Sequence, residues 1–223
     1  MGALVTRRPA SLTALALTAV AALGLSLSAC GSDGSPSETD RTAGADTGDK
    51  PSASPTPSQS VADGRPEIEP PSDLSYTFDW PKTGDPEKDA VLADSEQSIK
   101  AVDLAIVNQD ALDKAYLYYY EGEAAAGTQK FIQNYVDHKA GIRGSYRFYD
   151  PEVTVEDDGT ASLTYCEDQG KAFVKYLDTN KVKKTEVTAE SYVIYHTSLK
   201  KNADGVWKVQ KIVSQIGSDK CQP

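Results

Sequence analysis

Apolar residues recur every three or four positions up to Gly141 and every second position after it. A chain that changes period once, from helical to extended, has few folds open to it. On the helical side, Asp85-Pro86 reads as a start, a capping carboxylate followed by proline at the first helical position. Val91/Leu92, Ser95, Ile99, Val102 and Ile106 then form one stripe. Asp110 predicts a second helix with Leu112, Ala115, Tyr116 and Tyr119 on one face. Gly122 to Gly127 reads as a break, and a third helix is expected from about Thr128 to Lys139, ended by Gly141. On the extended side, Tyr146 and Phe148 precede a break at Pro151. Val153 and Val155 meet Ala161, Leu163 and Tyr165 across an Asp158-Gly159 turn, and Ala172, Val174 and Tyr176 form another strand. Ser191–Lys200 and Val206–Ile216 are the longest strands expected. Helices followed by a strand meander predict an α+β fold, three N-terminal helices packed on a curved antiparallel sheet.

The first third of the chain has a different character. Arg7 and Arg8, an apolar run from about Leu12 to Leu27 and small residues at its end have the layout of an export signal. The run is too short and too rich in alanine to span a membrane comfortably. Residues 1–29 are therefore expected to be removed. Residues 30–75 are Ser, Pro, Gly, Thr, Asp and Glu with hardly an aliphatic side chain, so they cannot offset the entropy of ordering and are expected to form a disordered tether. A coil of that length spans roughly 35–40 Å. The globular domain is expected over residues 76–223.

Removing residues 1–29 takes two of the 23 basic side chains and none of the 33 acidic ones, leaving a net charge of −12. Such a balance disfavours nucleic acid, whose binding needs a basic footprint. Of the three cysteines, Cys30 closes the sequence Leu27-Ser28-Ala29-Cys30. This resembles the lipobox of bacterial lipoproteins, whose cysteine carries diacylglycerol and becomes the first mature residue. That resemblance implies a membrane partner through the lipid on Cys30 and a place on the outer face of the cytoplasmic membrane. Cys166 and Cys221 are then an even pair in an oxidising compartment. Their disulfide would close a loop worth about 4 kcal/mol.

The helices, the meander and the final Asp204-Gly205-Val206-Trp207-Lys208-Val209 strand resemble the NTF2-like (SnoaL-like, cystatin-like) superfamily over about residues 85–216. With the lipobox, tether and cysteine pair, the chain is similar to actinobacterial lipoproteins built on that fold. The resemblance implies a cone-shaped pocket between sheet and helices, and frequent dimerisation. It implies no particular reaction, because isomerases, dehydratases and binding modules share the fold.

Few residues point to chemistry. The chain has no nucleotide loop, no HExxH and no Gly-x-Ser-x-Gly. With two histidines it cannot build a three-histidine zinc site, and no cofactor or metal is expected. His196 shares a strand face with Tyr192, Ile194 and Ser198, and enzymes of this fold often place a base inside the cone. Tyr116, Tyr119 and Trp207 are the other candidates to line a pocket or an interface. Strand 191–200 is apolar on both faces, so either the tail held at Cys221 or a second copy of the domain should cover its outer side. Lys181, Lys183 and Lys184, with Lys200 and Lys201 on the next strand, protect a sheet edge or meet an anionic wall polymer. The expected role is a non-catalytic binding or interaction module of the cell envelope, its partner a wall component or envelope protein. The alternative is a small-molecule carrier or a metal-independent enzyme of isomerase or dehydratase type.

Overall fold

The computed structural model describes residues 64–223; the signal segment, Cys30 and most of the tether lie outside the described residues. Among the described residues six strands, β1 (Leu74–Phe78), β2 (Ala140–Val155), β3 (Thr160–Tyr176), β4 (Lys181–Lys183), β5 (Tyr192–Lys201) and β6 (Trp207–Ile216), form one open sheet in the order β1-β2-β3-β5-β6, with β4 attached to β3. Helices α1 (Pro86–Val107), α2 (Lys114–Tyr119) and α3 (Gly122–Asp137) precede the meander. No helix among the described residues is long and apolar enough to cross a membrane.

Helix α1 begins where its sequence dictates. The Asp85 carboxylate accepts from the backbone N–H groups of Glu87 (2.9 Å) and Lys88 (3.3 Å), and Pro86 follows without needing a donor. Its buried stripe holds Val91, Leu92, Ile99, Val102 and Ile106, and also Asp94, Ser95, Ser98 and Asp103. Asp110 opens only a turn. The second helix starts at Asp113, whose carboxylate accepts from Ala115 N (2.7 Å), so Leu112 is exposed rather than buried. The expected break at Gly122 to Gly127 is the first part of α3. Three consecutive alanines favour helix strongly enough to carry Gly127 within it. The helix ends at a His138 cap before Gly141, which already lies in strand β2.

Strands β2 (Ala140–Val155) and β3 (Thr160–Tyr176) are longer than the alternation suggests. Pro151 does not end β2. It sits in a register shift between Tyr149 and Glu152, where the ladder needs no donor from it. β4 (Lys181–Lys183) pairs with the far end of β3, and β5 (Tyr192–Lys201) and β6 (Trp207–Ile216) complete the meander.

The packed chain begins earlier than the expected boundary at Tyr76. Strand β1 (Leu74–Phe78) runs parallel to β2, pairing Tyr76 with Tyr146 and Phe78 with Phe148. On its other side, Gly144 lets β3 come close: its φ is +103°, and a Cβ there would lie 2.1 Å from the Lys171 carbonyl oxygen. Its N–H donates to Asp73 O (2.7 Å). Arg65 and Ile68, within the stretch assigned by composition to the tether, contact the domain.

After β6 the chain turns back over the outer face of the sheet and is fixed by the Cys166–Cys221 disulfide. Cys166, Ile194 and Cys221 bury one another there with Tyr149 and Tyr192 around them, and the Tyr149 hydroxyl donates to the Cys221 carbonyl. This tail covers the apolar part of β5's outer side. A disulfide of this kind belongs to an oxidising, extracytoplasmic compartment.

Candidate functional site

The inner face of the sheet looks onto α1 and α3, where the resemblance given above implies a cone. Strand alternation puts Leu163, Tyr165, Glu167 and Gln169 of β3 on that face, beside Val193, Tyr195, Thr197 and Leu199 of β5. The interior is aromatic and closed. Tyr165 stacks on Tyr195 with centroids 5.0 Å apart, Phe148 meets Tyr165 edge-on at 6.1 Å, and Phe148 and Tyr195 are almost fully buried.

Two acids lie within this core. Glu167 is fully buried and accepts from the Tyr195 hydroxyl at 2.8 Å. Asp103, also fully buried, accepts from the Tyr76 hydroxyl at 3.1 Å. Burying a carboxyl group is costly unless hydrogen bonds replace water, and each has a tyrosine doing so. Sequence reasoning missed both. Each does leave a signal, because Asp103 falls on the apolar stripe of α1 and Glu167 continues the alternation Ala161, Leu163, Tyr165.

Little open space remains. A cavity of about 40 Å³ lies where α3 meets the far half of β3, lined by Tyr135, Ile142, Tyr146, Gln169, Val174, Lys183 and others. A second, of about 10 Å³, lies between Ile99, Phe131, Tyr165 and Tyr195. The larger holds a few waters at most. The Nε2 of Gln169 is buried with no hydrogen-bond partner among the described residues.

Of the four residues singled out from the sequence, Tyr119 and Trp207 meet at Asp94, while His196 and Tyr116 lie elsewhere. His196 is exposed on the outer face and bonds Thr164 Oγ1 through Nδ1 (3.0 Å), so it is outside the cone. The register explains this: Tyr195 and Thr197 take the inner positions and His196 the outer one. Tyr116 is fully buried, and its hydroxyl donates to Ala111 O (3.0 Å), closing the loop before α2. Tyr119 is buried beside Asp94 and Arg65. Its hydroxyl is pushed up to about 12, by burial first and then by the Asp94 charge. Trp207 is buried, and its backbone N–H donates to Asp94 Oδ2 (2.9 Å). The lysine groups also separate. Lys183 pairs with Val174 and Lys200 with Thr160, at opposite ends of β3 and roughly 46 Å apart along the strand. Lys201 is bound to Glu87 (2.7 Å).

No family model matches the sequence, and no curated protein matches it. Solved structures similar to it include a ketosteroid isomerase-like protein from Erwinia carotovora atroseptica, at 14% identity and TM-score 0.41, covering 60% of this chain and 98% of that one. A hexachlorocyclohexane dehydrochlorinase, LinA-type3 from Novosphingobium barchaimii, has 8% identity and TM-score 0.41 over 59% and 90% of the two chains. The intermembrane space region of the chloroplast protein ARC6 has 12% identity and TM-score 0.39 over 58% and 96%. By its own element order and packing, the described part of this chain is three helices followed by an open meander that they cover on one face, the architecture the resemblance to the NTF2-like superfamily implies.

Proposed function

We propose that this chain is a lipoprotein that displays a non-catalytic binding module on the outer face of the cytoplasmic membrane. One observation carries the non-catalytic reading: the cone is filled. Glu167, the acid best placed to act as a base there, is fully buried under Tyr195, and the adjoining cavity of about 40 Å³ is too small for an organic substrate. The lipobox at Leu27–Cys30 supports the anchor, and the Cys166–Cys221 disulfide fits its compartment. Two acyl chains hold a protein stably, each buried methylene contributing about 0.8 kcal/mol. Exchanging Cys30→Ala and fractionating the cells tests this: protein released to the medium, or retained as precursor, is expected. Mature protein still on the membrane would contradict it.

A second reading rests on the neighbourhood of Glu167 and Gln169 on one strand face, a buried acid beside an amide with an unused donor. It makes the domain a carrier or a metal-independent enzyme that opens around its ligand. A thermal-shift series with small apolar ketones and carboxylic acids distinguishes the two, since a carrier or enzyme would be stabilised and a filled core would not.

A further inference from the structure

The described residues carry 19 basic and 27 acidic side chains, yet one end of the sheet reverses that sign. Three adjacent paired strands carry basic side chains on both sides of the sheet's edge: Arg143 on β2 with Lys171 and Lys175 on β3 share one face, Lys181 and Lys183 on β4 share the other, and Lys184 follows β4. Asp73 is shared by two of them, at 3.8 Å from Arg143 and 3.9 Å from Lys175. Lys171, Lys181, Lys183 and Lys184 form no ion pair among the described residues, although acids outnumber bases in the described chain as a whole. Nearby Asp178 faces Lys139 (3.4 Å), leaving Glu186 as the next acid along the loop.

We infer that this end of the sheet is a docking surface for a linear polyanion of the cell wall, one bearing phosphate or carboxylate groups along its length. The inference rests on the reading of the domain as a binding module and names its partner. Three features favour a chain of charges over a single anion. Lys181 and Lys183 stand about 6.6 Å apart along one strand face, so successive anionic groups can each meet a cation. Lys183 and Thr185 also line the cavity beside Gln169, which gives one of those groups a recess with a cation at its edge. The remaining surface is acidic and repels a polyanion, so the domain would approach basic end first. A spread of weak contacts along one polymer adds up where each alone would not hold.

The test uses the full chain purified in neutral detergent and fluorescently labelled long-chain polyphosphate as the probe. Binding at about 0.1 M salt is expected, with a log–log salt slope near −3 for four neutralised charges. Exchanging Lys171, Lys181, Lys183 and Lys184 together for Gln should weaken it at least tenfold. Exchanging Lys200 and Lys211 for Gln, at the other end of the sheet, should leave it unchanged. No binding, or equal loss from both variants, would overturn the inference. So would loss of polyphosphate binding once the chain sits in vesicles containing phosphatidylglycerol, which would assign the lysines to the protein's own membrane. None of these outcomes depends on the cone, so the filled-cone reading stands or falls separately.

Discussion

The Asp94 carboxylate joins Arg65, where the tether meets the domain, to Trp207, where the last strand begins. Its Oδ1 accepts from Arg65 Nη2 (3.0 Å) and Nε (3.1 Å), and its Oδ2 accepts from the Trp207 backbone N–H (2.9 Å). Asp94 is only 3% exposed. Burial opposes the charge on Arg65, but Asp94 outweighs it and holds the guanidinium above its ordinary value. Arg65 is partly exposed but Asp94 is not, so removing the guanidinium strands a buried acceptor, at a cost of about 1–3 kcal/mol. Arg65→Ala should therefore lower the urea midpoint markedly, and Arg65→Lys should recover only part of the loss because lysine lacks the fork. A midpoint unchanged in Arg65→Ala would mean that the tether does not seal the domain.

The disulfide should matter as much as that pair. Replacing Cys166 and Cys221 together with serine opens a 55-residue separation and is expected to cost about 4 kcal/mol. Hydrogen exchange should rise at Ile194 and Tyr192 as the tail lifts. Unaltered protection there would show that the tail is held without it, by the Gly217 N–H donating to Tyr192 O (2.8 Å) and by the 3₁₀ turn Asp219–Cys221.

Alkaline pH should weaken the fold through its tyrosines. Tyr119 and Tyr149 are each pushed up to about 12, mainly by burial, with Asp94 adding to the first and Asp168 to the second. In the unfolded chain both lose their protons near pH 10, whereas the folded chain keeps them. Their contribution is complete below about pH 10 and is lost as pH rises toward 12. Denaturation midpoints measured across that interval should fall, and more gently in a Tyr119→Phe, Tyr149→Phe variant. An equal fall in both would place the sensitivity in other groups.

His196 should be dispensable. Its ring is solvent-exposed and makes one hydrogen bond to another surface side chain, so His196→Ala should change stability by no more than about 0.5 kcal/mol. It should also leave polyphosphate binding intact. A larger effect on either would return His196 to the working surface.

How far the sequence alone could be read follows from where burial and periodicity agree. Asp85-Pro86, the Asp158-Gly159 hairpin and the last two strands are local signals that tertiary packing leaves untouched. Strand β1 was hidden because its neighbours are tether-like, and only its pairing with β2 through Gly144 makes it a strand. Pro151 looked like a stop because a bulge that accommodates it depends on the partner strand. The cone was the least legible part. Alternation could show that His196 and Tyr195 point opposite ways, but not which face the helices would cover. Glu167 and Asp103 went unnoticed because a carboxyl group at an apolar position reads as noise until its tyrosine is placed beside it.

The filled cone is tested most directly by native mass spectrometry of the full chain, purified in mild detergent and compared before and after denaturation. The expected result is the same mass before and after denaturation, with nothing released on unfolding. A small molecule that leaves on denaturation, and is missing from Glu167→Gln or Gln169→Leu protein that still folds, would contradict it. The interior would then be a ligand site, and the buried acid its working group.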